Sequence, residues 1–209
     1  MEARDQIPTR NILVAVDVQH DFIDGSLAVK NGVEVVAPLN EMAERVRASY
    51  MGRVAYTRDW HPTKTPHFNS WPVHCVRNTP GAAFHPKLDM RPGDVIINKG
   101  MGQTDGYSGT EGKSAAGETI EALVEPNGWE DVQVFIGGLA TDYCVKATAM
   151  SIADIFKNRL NVEVYAVKDA MRAVADDATE AVKAMADAGV RIVSLQQALA
   201  LIDGRRIER

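Results

Sequence analysis

The chain has 209 residues, 45% hydrophobic and 24% charged, an ordinary globular composition with enough length to bury roughly 70% of its unfolded surface. A net charge of −5 and a pI near 5.5, without a run of Lys or Arg, leave no footprint for nucleic acid or an anionic membrane. Two cysteines, Cys75 and Cys144, with no C-x-x-C pair argue against a disulfide scaffold, and no apolar run approaches the roughly 20 residues of a membrane helix. Residues 1–10 carry charges throughout and lack the apolar stretch of a signal peptide, so a cytoplasmic location is expected.

Residues 11–18, NILVAVDV, are almost wholly apolar, the pattern of a parallel strand buried on both faces. Asp17 interrupts the run near its C-terminal end, where open α/β sheets place their ligands, and is a site candidate. Residues 20–28 read as a loop with a turn at Asp24-Gly25. Helical spacing over 33–50 predicts an amphipathic helix stopped by Gly52, and 53–57 a second strand that delivers Asp59 to the same sheet edge.

Residues 59–74, DWHPTKTPHFNSWPVH, gather one carboxylate and three of the five histidines. Asp59-x-His61, then His67 and His74, can place one oxygen and three nitrogens around a divalent metal. His20 and His85 stand outside this pattern and read as packing or surface residues. Cys75 reads as a buried thiol.

A turn at Thr79-Pro80-Gly81 follows, then a third strand over 94–98 with Lys99 just past its end. Residues 100–112 hold five glycines and predict a flexible loop, but lack the glycine and lysine placement of a nucleotide site. A helix is expected over 113–125, ending at Pro126, and a fourth strand over 131–136. That strand runs into GGLATDYC and a helix over 145–157, so Cys144 stands at a helix N-terminus. Unpaired N–H groups there are expected to lower the thiol pKa and to hold an oxyanion. Asp142 reads as a cap of that helix and Tyr143 as pocket rim. A fifth strand (161–167), a helix (176–188) capped by Asp176 or Asp177, a sixth strand (190–195), a short helix (195–202) and a charged tail complete the chain. The alternation predicts one domain spanning 1–209: an α/β fold with an open six-stranded parallel sheet and helices on both faces, three layers in the Rossmann-like manner.

An acid, a cation and a thiol after three different strands make chemical sense together. Asp17 can take the proton of Cys144, Lys99 can hold the charges, and the thiolate can attack a carbonyl carbon. The segments VDVQHDF, DWHP…H…WPVHC, TPGAAFHP, YSGTEG and GGLATDYCV resemble the nicotinamidase branch of the isochorismatase-like cysteine hydrolase superfamily. The resemblance covers nearly the whole chain.

The resemblance implies a triad of Asp17, Lys99 and Cys144, and a cis peptide between Leu139 and Ala140 that shapes an oxyanion hole from the Ala140 and Cys144 amides. It implies one divalent metal per chain on Asp59, His61, His67 and His74, zinc first, with iron or manganese compatible with the donors. Phe22, Trp71, Tyr107 and Leu139 are expected to line a pyridine pocket. The implied activity is hydrolysis of nicotinamide, and of pyrazinamide, to the acid and ammonia in NAD salvage by a homo-oligomeric enzyme. A metal-free relative acting on a ureido or carbamoyl substrate is the rival expectation.

Overall fold

The computed structural model describes residues 7–102, 106–205 and 207. Residues 1–6, positions 103–105 of the glycine-rich loop and positions 206, 208 and 209 of the expected charged tail lie outside the described residues. Six strands form one sheet: β1 (Thr9–Val16), β2 (Arg53–Asp59), β3 (Val95–Lys99), β4 (Asp131–Leu139), β5 (Val162–Arg172) and β6 (Arg191–Val193). Their order is β3-β2-β1-β4-β5-β6 and every pairing is parallel. Helices α1 (His20–Ile23), α2 (Val36–Ala48), α3 (Ile120–Val124), α4 (Lys146–Ile155), α5 (Thr179–Asp187) and α6 (Leu195–Ile202) complete the α/β fold. No helix among the described residues is long and apolar enough to cross a membrane.

Alternation along the buried strands divides the core into two layers, because successive side chains point to opposite faces. Leu13, Ala15, Tyr56, Phe135 and Tyr165 pack on the face covered by α2 and α6. Ile12, Val14, Val16, Val134 and Ile136 pack on the face covered by α3, α4 and α5. The strand order reverses direction between β1 and β4, and a crevice opens at the carboxyl end of such a switch point. The two strands approach closely there. Gly138 has a φ of 123°, and a Cβ on it would stand 2.0 Å from the Val16 carbonyl oxygen.

Several boundaries differ from the sequence expectation. Strand β1 stops at Val16 because Asp17 adopts a left-handed φ of 50°. The expected loop 20–28 contains the short helix α1. The expected helix 113–125 contracts to the five residues of α3: Lys113 exchanges backbone hydrogen bonds with Asn98, and Gly117 turns the chain at a φ of 87°. The C-terminal carbonyls of α3 are met by the buried Arg10 guanidinium, which also pairs with Glu130 at 2.9 Å. Strand β5 runs past the expected end at Val167 to Arg172, through a register irregularity opposite Ile136–Gly138. Helix α5 begins at Thr179, with the Asp177 carboxylate accepting from the Thr179 amide.

Candidate active site and metal centre

The carboxyl ends of β1, β2, β3 and β4 converge on one buried cluster. Asp17, Asp59, Lys99 and Cys144 are all at least nine-tenths buried. Lys99 is its hub. The Nζ atom lies 2.8 Å from Asp17 Oδ2, 2.6 Å from Asp59 Oδ1 and 3.3 Å from Cys144 Sγ, and donates to the Gly106 carbonyl at 3.2 Å. Thr57 on β2 donates its hydroxyl to the other oxygen of Asp17 at 2.7 Å. The Cys144 thiol stands beside both carboxylates, with one ligand atom each of Asp17, Asp59 and Cys144 within 4.8 Å of the others. Such a dense set of buried charges is tolerable only because each carboxylate meets the ammonium.

The proton affinities follow from this arrangement. Burial works against the Lys99 ammonium, but Asp17, Asp59 and Cys144 outweigh it, and its pKa rises well above the usual lysine value. Burial pushes Asp59 up as well, yet Lys99 and His61 outweigh it and hold the carboxyl below the usual range. Asp17 ends above the usual range: burial raises it, Asp59 reinforces this, and Lys99 only partly opposes. Cys144 also rises well above the ordinary thiol value, through burial and the two carboxylates, with Lys99 pulling the other way. This corrects the expectation of a lowered thiol. Cys144 does lie in a helical turn, Thr141–Val145, that leads into α4. Desolvation outweighs the helix terminus there, so the resting cysteine is a thiol beside a carboxylate of enhanced basicity.

Next to this cluster, His61, His67 and His74 bring their ring nitrogens within 4.8 Å of one another, all buried. The His61 and His67 rings stack at 4.6 Å between centroids, and His74 meets both edge-on. Asp59 Oδ2 faces His61 Nε2 at 3.6 Å and His74 Nε2 at 3.9 Å. His61 Nδ1 faces the Gly100 carbonyl at 2.9 Å and His74 Nδ1 the Pro72 carbonyl at 2.7 Å. A carbonyl only accepts, so both Nδ1 atoms carry the proton and both Nε2 lone pairs point into the cluster. Burial lowers the pKa of His74, which favours its neutral, ligating form. His61 Nε2 is buried without a hydrogen-bond partner among the described residues. An orphaned acceptor, two fixed tautomers and an adjoining carboxylate fit a divalent metal of the zinc type.

The cavity beside both clusters is lined by Phe22, Trp71, Tyr107, Ala140, Tyr143 and Cys144, with His67, His74 and Val174. Trp71 Nε1 donates to Tyr107 Oη at 2.9 Å, and Tyr143 meets Trp71 edge-on at 5.0 Å. Phe22 sits 5.4 Å from the His74 ring. The Leu139–Ala140 peptide is cis. Leu139 itself is fully buried in the core on the α2 face and does not line the cavity, which departs from its expected place in the pocket.

Residues 11–197 match the family described as Isochorismatase domain. The chain belongs to the isochorismatase family. The nicotinamidase/pyrazinamidase of Mycobacterium tuberculosis is 37% identical over 191 residues, covering 87% of this chain and 97% of that protein. The crystal structure of the Pyrococcus horikoshii pyrazinamidase in complex with zinc superposes with a TM-score of 0.74 at 34% identity, over 88% of this chain and 99% of that one. PnC1 from L. infantum, solved in complex with nicotinate, gives a TM-score of 0.74 at 30% identity, over 89% and 93% of the two chains.

Within this isochorismatase-family site, sequence reading missed three supporting side chains. Gln19 is fully buried and brackets Asp59: its Oε1 accepts from the Asp59 amide at 2.8 Å, and its Nε2 donates to the Asp59 carbonyl at 2.9 Å and the Ala82 carbonyl at 3.0 Å. Asp21 accepts from the Cys75 amide at 2.7 Å and so fixes the residue after His74. Thr57 orients Asp17. Gln19 and Asp21 stood in the motif around Asp17, but nothing in their spacing showed which backbone groups they would meet. His20 and His85 pack on each other at 5.9 Å between centroids, and Cys75 is a buried thiol, as expected.

Proposed function

We propose that this chain is a metal-dependent cysteine amidohydrolase that converts nicotinamide to nicotinate and ammonia, and pyrazinamide by the same route, within NAD salvage. The observation that carries the reading is the contact of Lys99 with Asp17, Asp59 and Cys144 beside the three-histidine cluster. It joins a bond-breaking thiol to a metal-suited recognition site. The names of the Mycobacterium tuberculosis relative and the Pyrococcus horikoshii neighbour, and the nicotinate held by the L. infantum protein, support the same substrate class. The residues 1–209 act as one catalytic domain.

Asp59, His61, His67 and His74 would hold the metal, with zinc the first choice on the strength of the Pyrococcus horikoshii complex. A bound zinc ion supplies Lewis acidity toward a ring nitrogen or a water. Phe22, Trp71 and Tyr107 wall the pyridine ring and set its carboxamide over Cys144. Asp17, with its raised proton affinity, takes the thiol proton as sulfur attacks the carboxamide carbon. The Ala140 and Cys144 amides receive the oxyanion. Asp17 then returns the proton to nitrogen as the C–N bond breaks and ammonia leaves. Water, deprotonated by Asp17, attacks the thioester, nicotinate departs, and the proton returns to sulfur. Lys99 stays charged throughout and keeps two buried carboxylates tolerable.

Ammonia release from nicotinamide, pyrazinamide and a ureido compound, each with and without chelator, tests this reading. Chelator-sensitive turnover of the two pyridine-type amides, lost in Cys144→Ala, is the expected result. Turnover confined to the ureido compound, or substantial activity left in Cys144→Ala, overturns it.

A further inference from the structure

Asp142 stands two residues before the nucleophile, where an acidic side chain is expected to cap its own helix. No side-chain cap closes the turn Thr141–Val145. The carboxylate reaches away instead, to the loop 173–178 that joins β5 to α5. Its Oδ1 accepts from the Val174 amide at 3.0 Å and its Oδ2 from the Ala175 amide at 2.9 Å.

Val174 lines the same cavity as Cys144, Trp71 and Tyr143. It is 45% exposed and belongs to neither buried apolar cluster, so core packing does not hold this wall in place. Two charge-assisted hydrogen bonds to one carboxylate fix both distance and orientation. They tie the wall to the turn that carries the nucleophile.

We infer that Asp142 is a positioning residue that sets the width of the substrate cavity by holding Val174 against the nucleophile turn. The inference rests on the amidohydrolase reading for its assay. Cys144 is anchored separately, by Lys99 and by the end of β4. Loosening the 173–178 loop therefore moves the wall more than the thiol. Such a change weakens substrate binding while leaving the chemical step, so KM rises and kcat holds.

The test is steady-state kinetics on zinc-loaded wild type, Asp142→Ala, Asp142→Asn, Val174→Ala and the Asp142→Ala/Val174→Ala double variant, with nicotinamide. Asp142→Ala should raise KM about tenfold, equivalent to about 1.4 kcal/mol, with kcat within about twofold. Asp142→Asn keeps one acceptor oxygen and should fall between; it also carries the test if the alanine variant does not fold. The double variant should be no worse than Asp142→Ala, because the two changes act on one wall. Additive effects of Asp142→Ala and Val174→Ala, or a fall in kcat at unchanged KM, overturn the inference. A wild type inert toward nicotinamide removes the functional reading instead; an active wild type whose KM survives Asp142→Ala removes this inference alone.

Discussion

Replacing Lys99 with methionine removes one ammonium and leaves two carboxylates without their shared partner. Asp17 and Asp59 are buried, and both ion pairs are shorter than 3 Å, at 2.8 and 2.6 Å. Breaking a buried pair by deleting one member costs about 3–5 kcal/mol, a large part of the roughly 5–15 kcal/mol that holds a domain together. For a chain of this size about 2–4 °C of melting temperature accompanies each kcal/mol, so Lys99→Met should melt about 6–20 °C below wild type near neutral pH.

The deficit should depend on pH. In the wild type the folded pKa of Asp59 lies below its unfolded value, so its contribution is present above that value and is lost as pH falls through the folded pKa. The Lys99 contribution runs the other way: its folded pKa is raised, so it is intact below the unfolded lysine value and lost only at strongly alkaline pH. Without the lysine, both carboxyls titrate upward and can be neutralised by protons. The difference between the two proteins should therefore shrink as pH falls from about 7.5 to about 5. Calorimetric melts of both proteins with chelator, so that no metal charge stands in for the lysine, measure it directly. Equal melting temperatures near neutral pH, or a deficit that widens on acidification, would refute the electrostatic account of the hub.

Two further outcomes follow from the same geometry. Gln19→Leu removes three hydrogen bonds and leaves the Asp59 amide buried and unpaired; zinc affinity, measured against a competing chelator, should fall about 10- to 100-fold, as for other groups that orient a metal ligand. The raised thiol pKa of Cys144 means that alkylation by iodoacetamide at neutral pH should be slower than in the unfolded chain and should accelerate as pH rises beyond the ordinary thiol range; rapid labelling at neutral pH would show a resting thiolate instead.

The strand ends were the legible part of this site. Apolar runs bounded by turn residues placed Asp17, Asp59, Lys99 and Cys144 on one edge, because a parallel sheet delivers every strand's C-terminus to the same side. Histidine spacing pointed to the three-imidazole cluster, because a short proline-broken segment can fold His61, His67 and His74 back on one another. What could not be read was depth. The thiol was expected to be acidic from its helix terminus, but the burial that reverses this arises only when four strands converge around it. Leu139 faces the α2 layer and Asp142 faces the 173–178 loop, tertiary placements that residue spacing along the chain does not encode. Helix α3 is short because Lys113 finds a strand partner in Asn98, a pairing between segments that local periodicity does not register.

The strand order also separates the two tasks of the crevice. Asp17 and Cys144 come from the two central strands, which meet where the chain's connections part to opposite faces. The imidazoles, Trp71 and Tyr107 all come from excursions after β2 and β3, toward the sheet margin. Lys99 ties the two together by ion pairs to Asp17 and Asp59, and Tyr143 does so by packing on Trp71. Asp17 and Cys144 thus stand on the central frame of the sheet, while the outer excursions build the wall around them. Replacing the segment between β2 and β3, with Asp59 kept at the end of β2 to pair with Lys99, would be a direct way to give the same thiol a different substrate.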